Sequence, residues 1–270
     1  MMPTSGAAVV VLSGTVLFRV SGKVADCASL ADPPHPLADE GALPPTLAMS
    51  NAAPPTTASG LRDALIFHAV FFSLAIPVAL TARGSALGLA VLLLALLYNI
   101  ALPLVGHWRG HAGWVQLWAF LLPLSCALPC ADWMLVVRMG TLTFPDHGIA
   151  RLGGAVPVYF MGLWMMLLWQ VCWIALATRA PFVVAALLSF AGFVVWEWAA
   201  RPLQLWHAVG VKTLAGFALY PLIPEVLLAL AALWMWRTLA DANWPARVLG
   251  ALSVAVFYAG ALSLALLVIG

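Results

Sequence analysis

The sequence predicts an all-α fold: a seven-transmembrane-helix bundle with short loops over residues 61–270, behind a disordered tail over residues 1–60. Three observations predict it. The chain has 270 residues, of which 64% are apolar and only 8% charged, against about 45–50% and about 25% in a soluble domain. Its mean hydropathy is +1.03. From Leu61 onward the apolar runs are nearly continuous. A soluble chain could neither hide that much apolar surface nor solvate itself on so few charges. A soluble enzyme, a nucleic-acid binder and a disordered protein are therefore excluded, and the lipid bilayer is the expected surrounding.

The first sixty residues differ from the rest. They carry Pro3, Pro33, Pro34, Pro36, Pro44, Pro45, Pro54 and Pro55, with four of the ten acids. An apolar run from Gly6 to Val20 has no Lys or Arg before it, as a signal peptide would need. Asp26 before Cys27 makes a poor lipobox. Translation from Met49 would leave only a short polar tail. Disorder is expected over residues 1–60 on either start.

Seven apolar stretches follow: Leu61–Thr81, Ser85–Val105, Gly113–Val136, Ala155–Ala177, Pro181–Ala200, Thr213–Trp236 and Ala246–Ile269. Each approaches the roughly 20 residues that a spanning helix needs. The short connections predict antiparallel neighbours. The longest runs from Arg138 to Gly154. Trp108, Trp114, Trp234, Trp236 and Trp244 fall where interfacial aromatic belts belong. Basic residues do not orient the bundle. Arg62, Arg109, Arg179, Arg237 and Arg247 stand on one side, and Arg83, Arg138, Arg151, Arg201 and Lys212 on the other. Arg19 and Lys23, if translated, tip the N-terminus towards the cytoplasm. Cys126 and Cys130 share a helix face and read as small apolar residues.

Ionisable side chains inside spans are costly and mark function. Asp132 lies towards the far end of the third stretch, Glu197 between Trp196 and Trp198, and Glu225 deep in the sixth stretch behind Pro221 and Pro224. Prolines at that depth free backbone carbonyls, and a broken helix beside a carboxyl group lines a cavity rather than lipid. Glu197 could instead pair with Arg201 at i, i+4, and Asp132 with Arg138. Asn99 and Gln170 suit interhelical hydrogen bonds or contacts to a substrate. Asp146, His147 and Arg151 share a loop that Pro145 and Gly148 hold in a turn. They could bind a phosphate, a metal or a hydroxyl, or simply be solvated.

The chain has 13 tryptophans. Met161, Met165, Trp169 and Trp173 recur every four residues on one face, with Trp164 nearby. Trp133, Trp196, Trp198, Trp206, Tyr220 and Tyr258 could join them from other helices. The pattern predicts an aromatic cavity holding two or three carboxyl groups. A carboxylic acid in an apolar cavity keeps its proton and can deliver it as a general acid. Each aromatic face stabilises a cation by about 0.5–2 kcal/mol. That pairing suits protonation of an alkene or epoxide followed by carbocation cyclisation of a lipid-soluble isoprenoid.

On size, helix count, membrane carboxylates, the pair Trp196-Glu197 and the pair Pro224-Glu225, the layout resembles the small seven-helix membrane isoprenoid cyclases. These are the meroterpenoid cyclases and the heterodimeric-type lycopene cyclases. The stretch from Leu61 to Trp236 also looks like an uncharacterised bacterial membrane family. The cyclase resemblance implies that Glu197 and Glu225 supply the proton donor and the cation-stabilising base, and that neither a metal nor another cofactor is needed. DDxxD, DxDD, HExxH, GxSxG and P-loop patterns are absent. The seventh stretch has no lysine for a retinal Schiff base.

The expected catalytic set is Glu197, Glu225 and Asp132. The expected substrate contacts are Trp133, Trp164, Trp169, Trp173, Trp196, Tyr220, Asn99, Gln170, Asp146, His147 and Arg151. Two other readings stay open. A small transporter would use the same carboxylates along a polar path. An accessory protein without chemistry would pair Glu197 with Arg201 and Asp132 with Arg138.

Overall fold

A computed structural model describes residues 58–270. The disordered tail expected over residues 1–60 and the start at Met49 lie outside the described residues, except that residues 58–60 already belong to the first helix. The helices are α1 (Ala58–Thr81), α2 (Gly84–Trp108), α3 (Ala112–Ala127), α4 (Pro129–Met134), α5 (Phe160–Leu176), α6 (Pro181–Ala200), α7 (Leu222–Thr238) and α8 (Trp244–Ile269). The fold is all-α, apart from three two-residue ribbons.

Among the described residues, five segments are long and apolar enough to cross a membrane: Ser59–Thr81, Gly84–Trp108, Ala112–Met139, Pro181–Ala200 and Trp244–Ile269. In the first, 22% of the apolar window is buried inside the protein, against 50% in Ala112–Met139. The third segment therefore runs through the centre, and α1 lines the outside. Leu65, Ile66, Val70 and Leu74 of α1 are exposed, as are Val183, Leu187, Val195 and Trp198 of α6.

The fourth and sixth stretches depart from the hydropathy reading. Helices α5 and α7 have 17 residues each, about 26 Å at 1.5 Å per residue, short of the roughly 30 Å hydrocarbon core. Residues 155–159 and 213–221 are instead strand and turn. Val156–Pro157 pairs with Arg151–Leu152, and Thr213–Leu214 pairs with Phe217–Ala218. The second ribbon turns through Ala215 and Gly216, both at positive φ, as a tight two-residue hairpin demands. Proline is the physical reason at the sixth stretch. Pro221 and Pro224 lack an N–H, which costs a helix no hydrogen bond in its first turn, whereas Pro77, Pro103 and Pro123 sit inside α1, α2 and α3. They start α7 rather than interrupt a longer helix. Glu225 thus stands in the first turn, not deep within the element.

The central segment changes pitch at a second proline. Pro129 opens α4, and the chain then winds into one π turn over Leu135–Met139. Gly140 closes it in the left-handed conformation at φ 66. Leu142–Thr143 next pairs with His207–Ala208, so the loop after the third segment is tied to the loop after α6.

A different network fixes the opposite end. The Asp63 carboxylate accepts from Arg109 at 2.9 Å and from the His111 ring at 3.0 Å, with Arg62 at 3.3 Å. It joins the start of α1 to the turn between α2 and α3. Gly88 of α2 meets the polar loop directly. A Cβ placed there would lie 2.7 Å from the His147 carbonyl oxygen. Because backbone cannot step aside, Gly88→Ala should destabilise the fold by about 1–3 kcal/mol. Thermal unfolding of the protein in detergent measures this, and an unchanged midpoint would contradict the packing.

Candidate functional site

Alternating helix direction brings three acids, the buried Asp132 and Glu225 and the half-buried Glu197, to one end of the bundle. Asp132 stands near the end of the third segment, Glu197 near the end of α6 and Glu225 at the start of α7. All three line a single cavity of about 50 Å³. Its aromatic walls include Phe144, Phe160, Trp164, Phe193, Trp196, Trp206, Tyr220 and Tyr258. Leu142, Ala208 and Ala218 of the ribbons close the end.

Local helix geometry explains the face that α5 contributes. Phe160, Leu163, Trp164 and Leu167 follow the i, i+3, i+4, i+7 spacing, and all four line the cavity. Trp164 packs edge-on to Tyr258 at 5.6 Å and beside Phe193 at 5.7 Å. Phe160 meets Trp206 edge-on at 5.5 Å, and Trp206 stacks on Trp196 at 6.1 Å.

The acids differ in their hydrogen bonds. The Trp164 indole N–H donates to Asp132 Oδ2 at 3.2 Å, and the Trp206 indole N–H donates to Glu197 Oε1 at 3.1 Å. Glu225 is buried, and its Oε2 has no hydrogen-bond partner among the described residues. No acid of the cavity is in an ion pair: the described salt bridges all run to Asp63. The pairings of Glu197 with Arg201 and of Asp132 with Arg138, on which an accessory role would rest, are not among them. Tyr220 and Thr141 share a hydroxyl–hydroxyl hydrogen bond at 3.3 Å.

Of the residues singled out in the sequence, Asp132, Glu197, Glu225, Trp164, Trp196 and Tyr220 meet in this cavity. The others stand elsewhere. Trp169 and Trp173 stack on each other at 5.4 Å and abut Trp114 edge-on. Trp169 is five residues beyond Trp164, or about 140° around the helix, and therefore faces away. Trp133 lies over Gly153. Asn99 donates to the carbonyls of Ala95 and Gly162, and Gln170 donates to the Met166 carbonyl. Asp146 accepts from the Gly148 N–H. His147 bonds the Tyr159 hydroxyl, and Arg151 donates to the carbonyls of Phe144, Pro145 and Ala155. These three hold their own loop together. Trp206 and Tyr258 complete the cavity as aromatics from other elements. Phe144 and Phe193 carried no polar signal that would have singled them out, whereas Phe160 could have been found from its helical spacing with Trp164.

Among the described residues, no group of three or more His, Cys, Asp or Glu side chains is arranged to hold a metal ion. The profile of a family described as a domain of unknown function (DUF6989) matches residues 129–269, which contain all three acids. No curated protein and no solved structure matches the chain.

The loop beside the cavity carries its own pH dependence. Burial holds the His147 imidazole below its ordinary value of 6.5, with Arg151 adding to the effect. A lowered folded-state value means that the unfolded chain binds the proton more readily. The contribution of neutral His147 is therefore complete above pH 6.5 and is lost as pH falls towards the lowered value. Amide hydrogen exchange over residues 144–152, corrected for intrinsic rates, should quicken at pH 5.5 relative to pH 7.5. His147→Gln should remove that difference. Equal protection at both pH values in the unsubstituted protein would contradict the assignment.

Proposed function

Taking as premise that the chain belongs to the DUF6989 family, we propose that it is a multi-pass integral membrane enzyme that cyclises or isomerises a hydrophobic isoprenoid by proton transfer. In this reading all seven long helices cross the bilayer, α5 and α7 with their ribbons and turns completing the thickness. The observation that carries it is the meeting of Asp132, Glu197 and Glu225, unpaired with any arginine, within one aromatic wall.

Glu225 is the proton donor. Its free Oε2 has no competing partner and can present a proton to an alkene carbon or an epoxide oxygen. With an alkene, the π pair forms the new C–H bond and leaves a carbocation on the neighbouring carbon; with an epoxide, the protonated oxygen takes the C–O bond pair and the carbocation forms on the carbon it leaves. The faces of Trp164, Trp196 and Trp206 and the ring of Tyr258 stabilise that charge during ring closure. Glu197 or Asp132, each already accepting an indole N–H, takes a proton from the adjacent carbon, and a new alkene forms. The proton taken up balances the proton delivered, so the reaction is an isomerisation needing no co-reactant. Passage of a proton back to Glu225 resets the site.

Size sets one condition. Ligand sites for molecules of this kind enclose about 300–1,000 Å³, and a cavity of about 50 Å³ holds only a few waters. The aromatic walls must part before a substrate can occupy the site.

The test is turnover of polyprenyl alkenes and epoxides by the purified protein in lipid nanodiscs, with products identified by mass. Wild-type protein should yield a product of unchanged mass. Glu225→Gln should lower turnover by about 10²-fold or more, the scale of a lost general acid, while remaining monodisperse. Undiminished turnover in both Glu225→Gln and Glu197→Gln would overturn the reading.

A further inference from the structure

The space missing from the acid cavity lies immediately beside it. Helix α1 packs chiefly on α2 and leaves an apolar groove between itself and α6. The groove measures about 220 Å³. Ala75, Ile76 and Ala79 form one wall and Val195 and Ala199 the other, with Met166 of α5 on the floor. No ionisable side chain lines it. Ile76 and Val195 are exposed at its mouth, on the faces that α1 and α6 would turn to lipid.

Groove and acid cavity share three residues: Leu163, Trp196 and Trp206. The stacked indoles of Trp196 and Trp206 are thus a partition between an apolar channel and three carboxyl groups. One hydrogen bond on the cavity side, from Trp206 to Glu197, holds the partition. A group that could take over that bond, such as an arriving hydroxyl or epoxide oxygen, would let the Trp206 ring swing.

We propose that this groove is the lateral entry and tail-binding site for an uncharged hydrocarbon chain, whose polar or unsaturated end reaches the acids by displacing the Trp196–Trp206 pair. The proposal rests on the acid-catalysis reading for the identity of that end. The groove's own features define the tail. It is apolar throughout, opens sideways, and offers no cation or anion to hold a phospholipid headgroup. It also abuts the acid cavity across Trp196 and Trp206, where a structural lipid would have no reason to point.

The probe is a neutral C15 prenyl alcohol carrying a diazirine, photolysed with the full chain in nanodiscs, with labelled residues mapped by mass spectrometry. Leu187 of α6 is exposed and outside the groove, so it reports labelling from bulk lipid. Labelling at Leu163 and Met166 should exceed that at Leu187 by about tenfold, the change that about 1.4 kcal/mol of preference produces. Excess unlabelled prenyl alcohol should compete it away, and a photoreactive phosphatidylcholine should not reproduce it. Ala199→Trp fills one wall and Ala79→Trp fills the opposite one. Each should reduce the signal to the Leu187 level, and having both guards against one failing to fold. Unsaturable labelling, equal labelling by the phospholipid, or full labelling in both folded variants would overturn the proposal. Because this readout needs no turnover, the two readings fail separately. Groove labelling with active Glu225→Gln removes the acid alone. An unlabelled groove with inactive Glu225→Gln removes the entry site alone.

Discussion

Three carboxyl groups gathered at one end of an apolar bundle are the constraint that shapes the rest of this structure. A carboxyl group placed in hydrocarbon costs several kcal/mol unless something polar meets it. Here the response is indole. Trp164 reaches Asp132 from α5, and Trp206 reaches Glu197 from the loop beyond α6. Those two bonds require α5 to present its Phe160–Leu167 face inward and require residues 201–206 to fold back over the end of α6. The ribbon joining Leu142–Thr143 to His207–Ala208 then becomes the lid that keeps the loop in place. Glu225 Oε2 receives no such donor.

The position of Glu225 goes with the short helix α7. A full-length α7 would have carried Glu225 into the middle of a wall. Starting the helix at Leu222 puts its carboxyl group level with the ends of α4 and α6. Pro221 and Pro224 fit that start, since in the first turn neither costs the helix a hydrogen bond. The Ala215-Gly216 hairpin and the Tyr220–Thr141 bond fill the depth that the missing helical turns would have occupied.

Much of this was legible in the sequence. The apolar runs locate every long helix, but they set Glu225 deep in the sixth stretch, so its meeting with Asp132 and Glu197 at one end was not legible. Hydropathy could not say which helices touch, and it extended α5 and α7 through apolar strand and turn residues such as Val156 and Phe217, because it counts side chains and ignores backbone breaks. The Met161–Trp173 stripe drew attention to the wrong side of α5. Trp169 and Trp173 belong to a packed cluster with Trp114, and periodicity alone cannot separate a packed face from an open one. Asp146, His147 and Arg151 looked like a binding set because they are dense and polar, yet their partners are the carbonyls, amide and phenol of their own neighbourhood.

The central claim is that the three acids act as one unit in one cavity. A double-mutant cycle between Asp132→Asn and Glu225→Gln, read as thermal stability in detergent, tests that claim most directly. Residues sharing a cavity couple by about 0.5–3 kcal/mol, whereas independent sites add to within about 0.3–0.5 kcal/mol. The account predicts coupling in the first range. Strict additivity would mean that the acids are buried singly between helices, and the acid site described above would not exist.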